Sequence, residues 1–338
     1  MSSYDHAIDW VRRETDSGAL PAAVLGIATA DGVQELVAFG ASGERAASVG
    51  DHFPLFSVTK PIVAMTALRA VERGRLALTD PLSAAIPEFG AQRADTVLLH
   101  HMLSHSSGIG DPLFDSATGR RADLLADGSE FAAGTAVRYS TLAFEGIAAM
   151  IEHANGSPWE QAVAELVADA GADGFTFDAD CEPHPIFGAA DVGLDYDAVH
   201  PHHPGAGAFA RAEDLLAIGR ALLADDGTLL HPATVAALQR SQTDGLPVFS
   251  PAPGRTGEAW GLGFKLRQNS PGLLAGAGPA AVAVAVAGAG RLLHPAHERD
   301  GARSLRREHR PAAQRGRRRH ALRRLGHSRR TSTACSFG

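Results

Sequence analysis

Ser57-Val-Thr-Lys60 stands at the predicted start of a long apolar helix, and this motif constrains the chain more than any other feature. It follows Phe-Pro-Leu-Phe and precedes the apolar run Pro-Ile-Val-Ala-Met-Thr-Ala-Leu. Residues three apart lie on one face of a helix, so the Lys60 amine can reach the Ser57 hydroxyl. The N–H groups and partial positive charge of a helix start also favour anionic character nearby. The chain has only two lysines, and this placement of one of them indicates an activated serine nucleophile.

Hydrophobic periodicity before and within this helix predicts both helices and strands. An amphipathic helix is predicted over residues 4–17, followed by strands over 22–30 and 33–39. Asp31-Gly32 between the two strands is a strong hairpin turn. The helix that carries Ser57 should end near residue 72, before Arg73-Gly74.

The rest of the chain is predicted to form a helical insertion and then to return to the sheet. Helices and loops without clear strands fill residues 80–200, which predicts a mostly helical second domain. Further helices are predicted over 212–224 and 232–240. Residues 260–267 alternate between apolar and other side chains, as a returning strand would.

Charge is unevenly distributed along the 338 residues. Residues 1–290 carry 35 acidic and 17 basic side chains, whereas residues 291–338 carry 14 arginines and 3 acids. The segment over 275–290 is nearly all Ala, Gly and Val, and the mixture after it has no helix or strand period. Because such a composition can hardly bury a core, we predict a folded domain over 1–275 and a low-complexity, Arg-rich tail over 276–338.

Composition and the N-terminal residues predict a soluble, cytoplasmic protein. Hydrophobic residues make up 45% of the chain, and no apolar run reaches the roughly 20 residues that a membrane helix needs. The N-terminus is polar and acidic, unlike a secretory signal. Cys181 and Cys335 form no metal or disulfide pattern. We therefore expect no membrane partner and no metal or redox chemistry.

A serine hydroxyl becomes a good nucleophile only when a base removes its proton. Lys60 is one candidate base, but a lysine serves as a base only if burial or nearby positive charge lowers its pKa. A second group therefore commonly shares the task, and Tyr139 is the candidate.

Several motifs in order along the chain resemble the serine β-lactamase and penicillin-binding-protein superfamily, in its class C and esterase-like branch. Phe56-Ser-Val-Thr-Lys60 resembles the first motif and Tyr139-Ser-Thr141 the tyrosine motif, with the structural segment His101-Met-Leu-Ser-His-Ser-Ser-Gly-Ile109 between them. Segments similar to other parts of the family are found at residues 76–82, 205–216 and 260–263. The resemblance covers about residues 15–267.

The resemblance implies an α/β, β-lactamase/transpeptidase-like fold, an antiparallel sheet flanked by helices with a mostly helical second domain over about 80–200. It implies a serine hydrolase that acts on a small ester or amide through an acyl-enzyme, without a cofactor. Ser57 would be the nucleophile, Lys60 the activating amine, Tyr139 the general acid and base, and Thr141 a substrate contact. The Ser57 N–H would form half of the oxyanion hole, and a strand near the C-terminus the other half.

Two departures from the family pattern bear on activity. Thr141 stands where the family usually has Asn, so one short hydroxyl replaces an amide that can both donate and accept. The third motif, a Lys or His followed by a small residue and Gly, has no candidate after Trp260. We interpret residues 276–338 as an out-of-frame end that replaced it. The alternative function is accordingly a catalytically inactive family member.

Structural interpretations remain open for individual residues. Taken alone, Ser57 would be a helix cap and Tyr139 a buried tyrosine with a bonded hydroxyl. His100, His101 and His105 lack the glutamate and third ligand of a metal site, so we predict structural hydrogen bonds for them. The arginines over 315–330 predict no nucleic-acid partner, because an out-of-frame run has no evolved ligand. The oligomeric state is left open.

Overall fold

The computed structural model describes residues 4–91, 93–111, 119–126, 128–185, 202–249 and 259–266, together with the backbone of 281–287. All of these residues belong to one unit of the chain, Met1–Pro295. The arginine run and Cys335 lie outside the described residues. None of the helices in the described part has both the length and the apolar character needed to span a bilayer.

Eight α-helices and eight strands are found within these ranges. The helices are α1 (Asp5–Asp16), α2 (Thr59–Glu72), α3 (Leu99–Leu103), α4 (Arg120–Ala126), α5 (Ala143–Asn155), α6 (Trp159–Asp169), α7 (Ala212–Ala224) and α8 (Pro232–Leu238). The strands are β1 (Ala22–Thr29), β2 (Gly32–Ser42), β3 (Arg45–Ala46), β4 (Phe53–Pro54), β5 (Phe209–Ala210), β6 (Ala259–Trp260), β7 (Lys265–Leu266) and β8 (Ala281–Ala287).

A four-stranded antiparallel sheet in the order β3-β2-β1-β8 forms the centre of the fold. Successive side chains of a strand point to opposite faces, and β1 is buried on both. Ala23, Leu25 and Ile27 pack with Val11 of α1 in one apolar cluster. Gly26 faces α7 so closely that an added Cβ would lie 2.7 Å from a Leu216 methyl carbon. The sheet is therefore covered by α1 on one face and α7 on the other.

Helix α2 connects this sheet to the helical region. It packs against α5 and α6, and Met65 and Leu68 share one core with Phe144 and Ile147. Each of these four side chains is at most 1% exposed. Such burial contributes about 1.5–3 kcal/mol per large apolar side chain. The middle of α2 is thus packed firmly against the helical region.

The predicted α/β class and β-lactamase-like architecture are confirmed. The predicted helices over 4–17, 212–224 and 232–240 correspond to α1, α7 and α8, and the first two strands to β1 and β2. No strand is found in the described residues between 80 and 185. Local periodicity was sufficient for the helices because an amphipathic helix carries its apolar side chains on one face.

Two segments differ from expectation. The strand predicted over 260–267 is not one continuous strand in its described part, which ends at 266: β6 and β7 pair with each other in a short hairpin, because Gly263 adopts a φ of 85° and reverses the chain. Within the predicted tail, residues 281–287 form β8, where alternating valines favour a strand beside β1. The domain boundary at 275 and the out-of-frame interpretation stay predictions, since most of the tail lies beyond the described residues.

Replacing Gly263 by alanine is expected to destabilise the fold by about 3 kcal/mol. An added Cβ would lie 2.1 Å from the Ala64 Cβ of α2, in a backbone conformation that already favours glycine. Urea unfolding measures the change. Gly245→Ala is the matched control, because Gly245 has a similar φ of 77° with nothing within 4 Å of the added atom. Equal losses in the two variants would contradict a role for close packing on α2.

Candidate active site

Ser57 is positioned by a strained turn between the sheet region and α2. Strand β4 pairs with β5, and a 3-10 turn over Phe56–Val58 leads directly into the helix. Phe56 has a φ of 46°, a left-handed conformation that costs a residue with a side chain about 1–3 kcal/mol. The Ser57 side chain that this turn presents is exposed. A substrate can therefore reach the Ser57 hydroxyl.

Lys60 lies one turn further on and is almost completely buried, with 3% of its surface exposed. Its Nζ lies 3.3 Å from Ser57 Oγ, 3.2 Å from Thr141 Oγ1 and 2.8 Å from the carbonyl oxygen of Gly205. The aromatic rings of Tyr139 and Phe144 lie 4.7 and 5.4 Å from the same nitrogen. The amine is thus enclosed by three oxygens and two ring faces.

Burial lowers the pKa of Lys60 to about 7, although the charge of Asp111 acts in the opposite direction. A neutral amine has two N–H donors and one lone pair. The carbonyl of Gly205 and the hydroxyl of Thr141 can accept the two N–H groups, which leaves the lone pair for the proton of Ser57. Neutral Lys60 therefore matches its three oxygen neighbours as a base.

Tyr139 approaches Ser57 from the helical region. Its hydroxyl donates to Ser57 Oγ at 2.6 Å. The ring packs against His105, with 4.6 Å between the ring centroids, and against Trp260 at 5.8 Å. These contacts fix the ring, so the phenol is held within proton-transfer distance of Ser57 Oγ.

Residues 105–111 hydrogen-bond residues 138–141, the tyrosine segment, and hold it in place. His105 accepts hydrogen bonds from two N–H groups, that of Arg138 on its carbonyl (2.8 Å) and that of Ser140 on Nδ1 (3.1 Å). Ser140 Oγ donates to the carbonyl of Gly110 at 2.8 Å. Full burial and the nearby Lys60 charge hold the pKa of His105 well below its usual range. His105 is therefore neutral and able to accept from Ser140.

The other histidines of the segment make structural hydrogen bonds. His100 Nδ1 lies 3.0 Å from the carbonyl oxygen of Leu78, and His101 Nδ1 accepts the Leu98 N–H at 3.2 Å. Across the residues that the structure describes, no cluster of three or more His, Cys, Asp or Glu side chains could hold a metal ion.

The four predicted site residues lie together, and two further residues contact them. The carbonyl of Gly205 contacts Lys60 directly, and the carboxylate of Asp111 accepts the Thr141 N–H at 2.6 Å. A backbone acceptor has no side-chain signature, and Asp111 lies just beyond the recognised segment. The residues that would hold the third motif lie largely outside the described ranges, so the second half of the oxyanion hole stays a prediction.

An exposed serine hydroxyl beside a buried amine and a phenol, in a chain with an antiparallel sheet and a helical region, is the arrangement typical of serine β-lactamase-like proteins. The sequence profile of the Beta-lactamase family matches residues 7–313. The chain belongs to the Beta-lactamase family.

Individual proteins are similar to this chain in sequence or in fold. The chain is similar to the esterase EstB of Burkholderia gladioli, with 33% identity over 265 residues that cover 63% of this chain and 65% of the esterase. The match thus spans slightly less than two thirds of that esterase. EstCE1, a hydrolase with promiscuous acyltransferase activity, has a similar fold, with a TM-score of 0.67, 22% identity and coverage of 85% of this chain and 94% of its own. Simvastatin synthase (LovD) from Aspergillus terreus is similar at a TM-score of 0.64, with 19% identity and coverage of 78% and 83%.

Proposed function

We propose that the chain is a serine hydrolase that cleaves small ester or amide substrates through an acyl-enzyme on Ser57. The observation that carries the proposal is the position of Ser57 Oγ, exposed and within 2.6 Å of the Tyr139 hydroxyl and 3.3 Å of the Lys60 amine. Membership of the Beta-lactamase family supports the reaction class. The esterase among the relatives favours esters over β-lactam antibiotics.

In the proposed reaction, Ser57 Oγ forms a bond to the carbonyl carbon of the substrate as Lys60 Nζ takes the hydroxyl proton. The tetrahedral intermediate expels the alcohol or amine, which leaves with this proton, delivered through the Tyr139 hydroxyl. Water then attacks the acyl carbon and gives up one proton to the same groups. The carboxylic acid departs, and Ser57 regains its hydroxyl proton.

The proposed reaction steps use no cofactor. The Ser57 N–H is the first oxyanion donor, and the role of Thr141 as a substrate contact stays a prediction, since its hydroxyl lies against Lys60. The cytoplasmic location and the absence of a nucleic-acid partner also stay predictions.

A fluorophosphonate probe tests the proposal directly. We expect the folded protein to gain one covalent adduct, located at Ser57 by mass spectrometry of its peptides, because only an activated serine attacks the phosphorus at a useful rate. Protein unfolded in urea should gain none, since the three groups then separate. A folded sample, verified by a cooperative unfolding transition, that gains no adduct would favour the alternative, a catalytically inactive family member.

A further inference from the structure

Asp111 lies directly behind the site, yet the reaction steps above make no use of it. Its half-buried carboxylate accepts the N–H of Thr141 at 2.6 Å. It also interacts with the N–H of Leu142 and with the side-chain hydroxyl of Thr141. The carboxylate therefore holds the residues that immediately follow Tyr139.

Thr141 connects this carboxylate to the catalytic amine. Its side chain is 6% exposed, and its Oγ1 lies 3.2 Å from Lys60 Nζ. A hydroxyl has one proton to donate and lone pairs to accept with. When the Thr141 proton is directed to the carboxylate of Asp111, Oγ1 presents a lone pair to Lys60 and takes one of its N–H groups. The carbonyl of Gly205 takes another, at 2.8 Å.

We propose that Asp111 is a positioning residue of this hydrolase: it anchors the tyrosine segment through the Thr141 N–H and, through the Thr141 hydroxyl, orients the Lys60 lone pair toward Ser57. The role of Asp111 in catalysis rests on the proposed function, whereas its hydrogen bond to Thr141 does not. Where the family usually has an Asn, whose amide can both donate and accept, this chain has Thr141, whose single hydroxyl proton goes to Asp111 while its oxygen accepts from Lys60.

The charge of Asp111 also acts on Lys60. The titratable groups that face the amine are Tyr139 beside it, Asp111 behind Thr141, the neutral His105 under the Tyr139 ring, and His203, whose Nδ1 accepts the Gly205 N–H. Burial raises the pKa of Asp111 above its ordinary value, although the hydrogen bonds that Asp111 accepts and the charge of Lys60 act in the opposite direction. Reciprocally, ionised Asp111 raises the pKa of Lys60. Asp111→Asn removes this charge and should lower the pKa of Lys60 further.

The two lysines of the chain make a direct measurement possible. Protein labelled with ¹³C at the lysine ε-carbon should show two resonances, one from Lys60 and one from the exposed Lys265 of β7 as an internal reference. In the wild type we expect the Lys60 resonance to titrate near pH 7. In Asp111→Asn the midpoint should fall by about one pH unit. The acid limb of kcat/KM for a nitrophenyl ester should move the same way, and kcat should fall about tenfold as the amine loses its orientation.

Asp95→Asn is the matched control. Asp95 likewise accepts a backbone N–H, that of Ala133, and pairs with Arg93, but it does not contact Lys60 or Thr141. This variant should lose stability without moving the Lys60 midpoint. An unchanged midpoint and pH profile in Asp111→Asn would overturn the proposal and leave Asp111 a structural residue.

If Asp111→Asn fails to fold, a second measurement on the wild type tests whether Asp111 interacts with Lys60. The wild-type Lys60 resonance should show a smaller inflection in the acid range, where Asp111 takes up its proton. A flat response there would overturn the proposal. The lysine titration needs no turnover, so failure of the proposed hydrolase activity would appear separately, as a missing fluorophosphonate adduct and missing ester hydrolysis.

Discussion

Ser57→Ala is expected to abolish both ester hydrolysis and labelling by a fluorophosphonate, with kcat reduced about 10⁴- to 10⁶-fold. Without Oγ no acyl-enzyme forms, and the Tyr139 hydroxyl and Lys60 amine have no nucleophile to activate. Because the Ser57 side chain is exposed, its removal should change the free energy of unfolding by less than about 1 kcal/mol. Initial rates with a nitrophenyl ester and a urea unfolding curve measure the two effects.

Ser104→Ala is the matched control for this experiment. The Ser104 hydroxyl is buried near the same segment, where it donates to the carbonyl of His100 at 2.7 Å. This variant removes a serine hydroxyl close to the site but outside the reaction, and its turnover should equal that of the wild type. A wild-type rate in Ser57→Ala would show that hydrolysis takes place elsewhere, and would remove the basis of the proposed function.

Lys60→Met is expected to lower kcat about 10²- to 10⁴-fold, the usual contribution of a positioned general base. Methionine fills a similar volume between the Tyr139 and Phe144 rings but cannot accept the Ser57 proton. The same assay measures the loss. Lys265→Met, which removes the other lysine from an exposed strand, should hydrolyse the ester at the wild-type rate.

The same substitution should also remove a pH-dependent part of the stability. Lys60 has a pKa of about 7 in the folded chain and about 10.5 when unfolded. Between these values the unfolded state binds more protons than the folded state, so Lys60 makes the wild type more stable as the pH rises. From pH 7 to pH 9 this increase should be on the order of 2 kcal/mol relative to Lys60→Met. Parallel stability curves for the two proteins would contradict a depressed Lys60 pKa.

The location of the site could be predicted because its four predicted residues belong to recognised motifs. Ser57 and Lys60 are three residues apart on one helix, and Tyr139 and Thr141 form a second motif. Gly205 opens the family-like segment over 205–216, but it contributes only its carbonyl, and any residue type supplies one, so its contact with Lys60 could not be predicted. Asp111 was missed for a related reason: it lies two residues after the recognised segment, and its importance arises from its contact with Thr141, 30 residues away.

Elements of the fold could be predicted to different extents. The predicted bounds of α7 agree with those in the structure, because Asp225-Asp226-Gly227 ends an uninterrupted apolar pattern. The Trp260 segment was misread, since alternation along a sequence does not indicate whether a glycine will adopt a positive φ. Strand β8 was also missed. Its Ala and Val residues gain a role only from pairing with β1, which is more than 250 residues earlier in the chain.

By itself, the sequence determined α1, β1, β2, α7 and α8, the family resemblance and the three groups that the proposed reaction uses, because periodicity and short motifs are local properties. Only the tertiary structure decided how these groups act together. The hydroxyl of Tyr139 reaches Ser57 across 82 residues of chain, and the pKa of Lys60 falls because α5 and the tyrosine segment exclude water from its amine. Burial and long-range contact depend on how distant segments pack, and that packing is not encoded in any one segment.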